Sequence, residues 1–173
     1  MTFSVRIASG GESGVDRAGL DFAIAHGLAY GGWCPKGGWA EDMPSPPGIL
    51  ARYPALREAS SADPNERTRL NVRDSDATLI LTSSAGLDMS GGASLTVEIA
   101  RAAGRPFLVL DVENGASLDA ASEWLASLKG SAAVINIAGP RESEAPGLYR
   151  AAYDFLRALL DRHHYRRRAT HSD

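Results

Sequence analysis

The stretch Ser4-Val5-Arg6-Ile7-Ala8-Ser9-Gly10-Gly11-Glu12-Ser13-Gly14-Val15-Asp16-Arg17-Ala18 decides the fold class. Residues 4–8 read as a short strand, and the glycines that follow end it at once. Val15, Ala18, Phe22 and Ala25 then recur at helical spacing, so a helix is expected over 15–26, with Gly27 as its stop. The chain repeats this strand–loop–helix pattern. A brief strand is expected over 28–33, a helix over 64–73 and a buried strand over 77–82. Further on, helices are expected over 93–103 and 118–128, strands over 107–111 and 133–138, and a last helix over 146–163. Asp63, Pro64 and Glu66 form a helix-start signature, with Glu66 placed as in a capping box. Residues 34–64 are proline-rich and read as a long irregular connection, of the kind that often carries function. Strands alternating with helices imply an α/β fold, a mostly parallel sheet sandwiched between helix layers.

Length and composition fit that reading. The chain has 173 residues, 44% hydrophobic and 23% charged, which suits a single globular domain and excludes a largely disordered chain. No apolar run approaches the ~18 residues of a membrane span, and no signal peptide is evident. The single cysteine, Cys34, has no partner for an internal disulfide, so a reducing, cytoplasmic setting is expected. Net charge is −3, unevenly spread, since Arg157, Arg162, Arg166, Arg167 and Arg168 crowd the end of an otherwise acidic chain. The acidic body argues against nucleic acid as the main partner. Residues 1–163 are expected to form the domain and 164–173 a basic, disordered tail.

In such a sheet, ligands bind beyond the carboxyl ends of the strands. Three loops lie there. Ser9, Gly10, Gly11, Ser13 and Gly14 have the makings of an anion cradle, because glycines turn sharply and the helix behind adds N–H donors and a positive dipole end. Asp16 and Arg17 fall in that helix's first turn, with Arg17 in reach of a phosphate. The spacing is neither the dinucleotide fingerprint nor a Walker loop, and close packing is the other reading of these glycines. Ser90, Gly91 and Gly92 open a second helix, with Thr96 and Glu98 in its first turns. Glu98 suits a ribose hydroxyl or acid–base chemistry, or simply favours the helix start by charge. Gly139 and Arg141 close a third strand, with Arg141 as a phosphate fork and Asn136 an amide among apolar residues. Lys36 is a further anion contact. Cys34 reads as a small buried apolar residue. His26, His163, His164 and His171 have no ligand spacing with Cys34, so no structural metal is expected. Together the loops point to a cleft for a phosphorylated, nucleotide-like small molecule.

Seven segments in order resemble one family. They are Ser9 through Ala18; Gly31-Gly32-Trp33-Cys34-Pro35-Lys36-Gly37; Ala40-Glu41-Asp42; Arg52-Tyr53-Pro54; and Asn71-Val72-Arg73-Asp74-Ser75-Asp76. The last two are Ser90-Gly91-Gly92 with Leu95-Thr96-Val97-Glu98, and Asn136 with Ala138-Gly139-Pro140-Arg141-Glu142-Ser143. This set resembles the molybdenum cofactor carrier proteins, a circularly permuted, YpsA-like branch of the SLOG superfamily. The resemblance implies a Rossmann-like three-layer α/β/α sandwich and a homo-oligomer, dimer or tetramer. It implies binding of molybdenum cofactor, a phosphorylated molybdopterin, or of a molybdate or tungstate oxyanion, for delivery to a molybdoenzyme acceptor. A wider kinship with the "lonely guy" enzymes, which carry P-G-G-x-G-T-x-x-E, implies an alternative, a nucleoside 5'-monophosphate phosphoribohydrolase with Glu98 as its catalytic carboxylate. Here Ser90 replaces the proline, Ser94 the third glycine and Leu95 the threonine. A nucleotide-derivative-sensing domain is a further alternative.

Overall fold

The computed structural model describes residues 4–84, 91–128 and 132–169. Its elements in order are β1 (Ser4–Ala8), α1 (Val15–Ala25), β2 (Ala29–Gly31), β3 (Trp33–Cys34), β4 (Arg57–Glu58), α2 (Pro64–Arg73), β5 (Ala77–Thr82), α3 (Gly91–Ala102), β6 (Phe107–Asp111), α4 (Ser117–Ser127), β7 (Ala132–Ala138) and α5 (Leu148–Ala169). Five strands form one sheet in the order β2-β1-β7-β5-β6, and every pairing is parallel. Counted from β7 as the first strand, that order reads 3-2-1-4-5, the doubly wound arrangement. The strand that begins the classic order therefore comes last in this chain.

The sheet separates two unequal faces. Successive side chains point to opposite sides of a strand. Ile135 and Ile137 of β7, with Leu79 and Leu81 of β5, enter the main core beneath α1, α4 and α5, where Val15, Phe22, Phe155 and Leu159 also pack. The alternate residues face α2 and α3. There the apolar cluster is small, consisting of Ile80, Ala93, Val97 and Ala138. Asn136 and Thr78 share that face, and the Asn136 amide donates to the Thr78 hydroxyl at 3.4 Å. The α2/α3 face is thus polar where β7 and β5 meet.

The sequence reading needs four corrections. The strand expected over 28–33 is broken at Gly32, where φ is 124° and a Cβ would lie 2.3 Å from the Ser9 carbonyl oxygen. The chain leaves the main sheet there, and β3 pairs with β4 in a separate two-stranded sheet. The connection over 34–64 is consequently not irregular throughout. It has its own core of Leu20, Cys34, Ala40, Ile49, Tyr53 and Leu56. Burial pushes the Cys34 thiol up to about 11. Glu66 does not close a capping box on Asp63; its carboxylate accepts from the Ser61 backbone N–H at 2.9 Å instead, while Asp63 caps α2 through Asn65 N–H at 2.9 Å. Finally, α5 continues to Ala169, beyond the boundary expected at His163, and residues 170–173 lie outside the described residues. Among the described residues no helix is long and apolar enough to cross a membrane.

The excursion is tied to α2 by polar contacts. Asn71 accepts from Trp33 N–H at 2.8 Å and donates to the Trp33 carbonyl at 2.9 Å. The Trp33 indole N–H donates to Asp74 at 2.8 Å. Hydrogen bonding from Arg73, helped by Trp33, holds the Asp74 carboxyl down to about 2. A depressed carboxyl supports the fold fully above its unfolded value of ~3.9, and that support is lost as pH falls through its folded value. Acid titration followed by tryptophan fluorescence should therefore show a transition near the folded value that Asp74→Asn lacks. Identical acid profiles for the two proteins would show that this contact contributes nothing.

Candidate functional site

The carboxyl ends of β1 and β7 open onto one polar cavity on the α2/α3 face. The turn after β1 contributes Gly10 and Glu12, the first turn of α1 contributes Asp16, and α2 contributes Arg67, Thr68 and Asn71. Gly92 and Thr96 come from the start of α3, and Asn136, Ala138, Gly139, Arg141 and Glu144 from β7 and its loop. The position is the topological switch point, where β7 has β1 on one side and β5 on the other. The enclosed volume is about 40 Å³, which takes roughly three water-sized groups. It admits one small polar group, and a fused ring system would lie across the mouth.

The charges are mixed. Arg67 donates to Asp16 at 2.8 Å, with side-chain exposures of 14% and 4%. Burial, outweighing the pull of Arg67, holds the Asp16 carboxyl above its ordinary value. Glu12 is buried, and its carboxylate accepts from Ser13 N–H and Glu41 N–H, each at 2.9 Å. Arg141 is half-buried, with its guanidinium 5.9 Å from the Trp39 ring. The positive dipole end of α3 also points to this region.

The glycine loop is not an open anion cradle. A Cβ on Gly10 would lie 1.9 Å from Arg67 Nη1, one on Gly11 2.5 Å from Ile49, and one on Gly14 2.4 Å from the Pro140 carbonyl oxygen. The bare faces of these glycines are filled by protein atoms. Several loop N–H groups are committed too: Gly11 to the Ser9 hydroxyl, Ser13 to Glu12 and Val15 to Pro140. The Ser9 hydroxyl in turn donates to the Asp16 carbonyl at 3.0 Å. Close packing, the other reading of these residues, accounts for their conformation.

Arg17 also departs from expectation. Its guanidinium makes two 2.9 Å bonds to Asp42 and further bonds to the Gly11 carbonyl. It faces a second, larger cavity of about 530 Å³ across the Gly14 turn, together with Ser13, Glu41, Arg52, Glu142 and Tyr149. There the Ser13 hydroxyl binds Glu41 and accepts from Glu142 N–H at 3.0 Å. Lys36 is exposed and lines neither cavity. Glu98 is exposed on α3 and does not line the switch-point cavity, so the carboxylate required by the hydrolase reading is not at the site. Gly91 is exposed at the start of α3, and Ser90 lies outside the described residues. Of the expected residues, the fold brings together Gly10, Asp16, Gly92, Thr96, Asn136, Gly139 and Arg141.

Sequence reasoning missed Glu12, Arg67, Thr68, Asn71 and Glu144. A signal existed in α2. Arg67, Thr68 and Asn71 fall on one helical face, and Thr68 and Asn71 are buried, so α2 turns a polar stripe to the sheet.

The family model of the circularly permutated YpsA SLOG family matches residues 7–160. The chain belongs to this family. The strand order gives the permutation a physical form, because in this SLOG chain the central strand β7 closes the domain instead of opening it. A crystal structure from Syntrophus aciditrophicus, of a protein named "Putative molybdenum carrier protein", is similar at 38% identity. The likeness covers 92% of this chain and 96% of that one, with a TM-score of 0.78. No curated protein matches this SLOG chain.

Proposed function

We propose that the chain is a carrier that binds molybdenum cofactor, a phosphorylated molybdopterin, across the mouth of the switch-point cavity. The observation that carries this reading is a partly charged, polar cavity at the doubly wound crevice of a SLOG domain. The name of the Syntrophus relative supports the choice of cargo. Arg141 and the α3 dipole end suit the phosphate. Asn136, Thr96 and the Asp16–Glu12 wall suit the polar edge of the pterin, whose N–H groups need acceptors. The carrier would act in the cytoplasm as a homo-oligomer and hand its cargo to a molybdoenzyme. Molybdate or tungstate alone would occupy only the anion part of the site.

Calorimetric titration with molybdenum cofactor, molybdate, tungstate and AMP tests this, with the AMP samples checked for free adenine. Saturable cofactor binding without adenine release is expected. Arg141→Ala should weaken cofactor affinity by about tenfold or more, the scale of a charged hydrogen bond. Glu98→Gln should leave it within about twofold, since a residue outside the cavity contributes little. Adenine release that disappears in Glu98→Gln would replace the carrier with the hydrolase.

A further inference from the structure

A third cavity, of about 240 Å³, lies on the same sheet face below the switch-point cavity. Asn71 lines both. Arg6, Arg57, Asp74 and Ser75 line it, with Ala8 and Val134 as its apolar floor. We propose that this cavity is a second ligand site, selective for a tetrahedral oxyanion such as phosphate, free or carried as a phosphomonoester. The proposal is independent of the carrier reading.

Arg6 is the first argument. It sits in β1, paired on both sides within a parallel sheet, where apolar residues are the rule. Arg17, Arg52, Arg57, Arg67 and Arg73 each hold a carboxylate within ion-pair distance. Arg6 holds none among the described residues; its one hydrogen bond is a long 3.5 Å contact to the Tyr30 carbonyl. The side chain is exposed, so its remaining donors meet solvent and are open to a ligand entering the cavity it lines.

Ser75 is the second, independent argument. It is 2% exposed, and its hydroxyl has no hydrogen-bond partner among the described residues. A buried hydroxyl without a partner is costly, and because Ser75 borders the cavity, a rotation about its Cα–Cβ bond would let a bound acceptor satisfy it.

Arg57 supplies the third direction of approach. Its guanidinium lies 4.1 Å over the Trp33 ring, which fixes its plane. Its link to Asp74 is loose at 3.4 Å, and Asp74 is itself held at 2.6 Å by Arg73. The donors come from three separate segments, Arg6 from β1, Arg57 from β4 and Ser75 from the turn before β5, so they approach the cavity from different sides. That arrangement suits a tetrahedral oxyanion better than a flat carboxylate.

The test is calorimetric titration of the full chain with inorganic phosphate and with ribose 5-phosphate, at ionic strength held constant with chloride. Saturable binding of at least one is expected, with a Kd of about 1 mM or tighter. Binding of both would mark a site for the phosphoryl group; binding of the ester alone would mark a phosphorylated metabolite. Arg6→Ala and Ser75→Ala should each weaken it, Arg6→Ala by about tenfold, whereas Arg101→Ala should not, since Arg101 is exposed over the Phe107 ring and does not line the cavity. Arg6→Gln and Arg57→Ala serve if Arg6→Ala does not fold. Absence of saturation with either anion would overturn the proposal. So would binding that survives the Arg6 and Arg57 changes but is lost in Arg141→Ala, since the phosphate would then sit in the switch-point cavity.

Discussion

Arg67→Ala is expected to destabilise the protein by about 3–5 kcal/mol, because it strands a buried carboxylate. Asp16 is 3% exposed, and its ion pair with Arg67 at 2.8 Å crosses from α1 to α2. The same guanidinium fills the space left by the missing Cβ of Gly10. The variant therefore loses a charge partner and opens a gap in the cavity wall. Burial already holds the Asp16 carboxyl above its ordinary value, and loss of Arg67 can only raise it further. A raised carboxyl stabilises the folded state when protonated, and that contribution fades as pH rises through the folded value. The deficit should thus be largest near neutral pH and shrink on acidification toward the unfolded value of ~3.9. Urea unfolding of both proteins at neutral and mildly acidic pH measures this. Asp16→Asn in the Arg67→Ala background should recover much of the loss. A deficit below about 1 kcal/mol at both pH values would mean that the pair behaves as an exposed one.

Gly14→Ala is the second large effect. Gly14 has φ 76° and ψ −131°, a conformation that L residues rarely adopt. A Cβ there would lie 2.4 Å from the Pro140 carbonyl oxygen and 2.8 Å from Glu142 N, and neither backbone atom can swing aside. The two loops are also bonded to each other, Val15 N–H to Pro140 at 3.2 Å and Glu142 N–H to the Ser13 hydroxyl at 3.0 Å. Alanine must therefore push the loop after β7 away from α1, carrying Gly139 and Arg141 with it. A loss of about 2 kcal/mol or more is expected from the backbone strain and the clash together. Cofactor affinity should fall as well, because Arg141 moves. Gly115→Ala is the matched control, since its Cβ would meet nothing within 4 Å. Thermal melts of the two variants should separate clearly; equal melting temperatures would show that the loop yields without cost.

How far the fold could be read from the chain depended on the kind of signal. The run Ala77–Thr82 is buried at every position, so its apolar continuity alone marks a central strand. α2 was legible through Asp63 and Pro64, which are local signals. The excursion after β2 was not, because its core draws on Leu20 of α1 and on Ile49, Tyr53 and Leu56, which follow no local period. At the site, the glycines announced a close approach without naming the neighbour. Gly10 makes room for Arg67 and Gly14 for the loop after β7, contacts fixed only by the permuted topology. For the same reason Arg17 reads from the sequence as one candidate phosphate contact. Nothing local tells that Asp42 takes its fork while Arg67 stands in the cavity.

The central claim is that the crevice between β1, β7 and β5 holds the ligand. A crystal structure of the protein grown with molybdenum cofactor tests it most directly. The account predicts cofactor density across the mouth of that cavity, with the phosphate near Arg141 and the start of α3 and the pterin edge toward Asn136 and Asp16. Cofactor seated instead over Arg17 and Tyr149, or saturable binding in solution with the crevice empty, would contradict it.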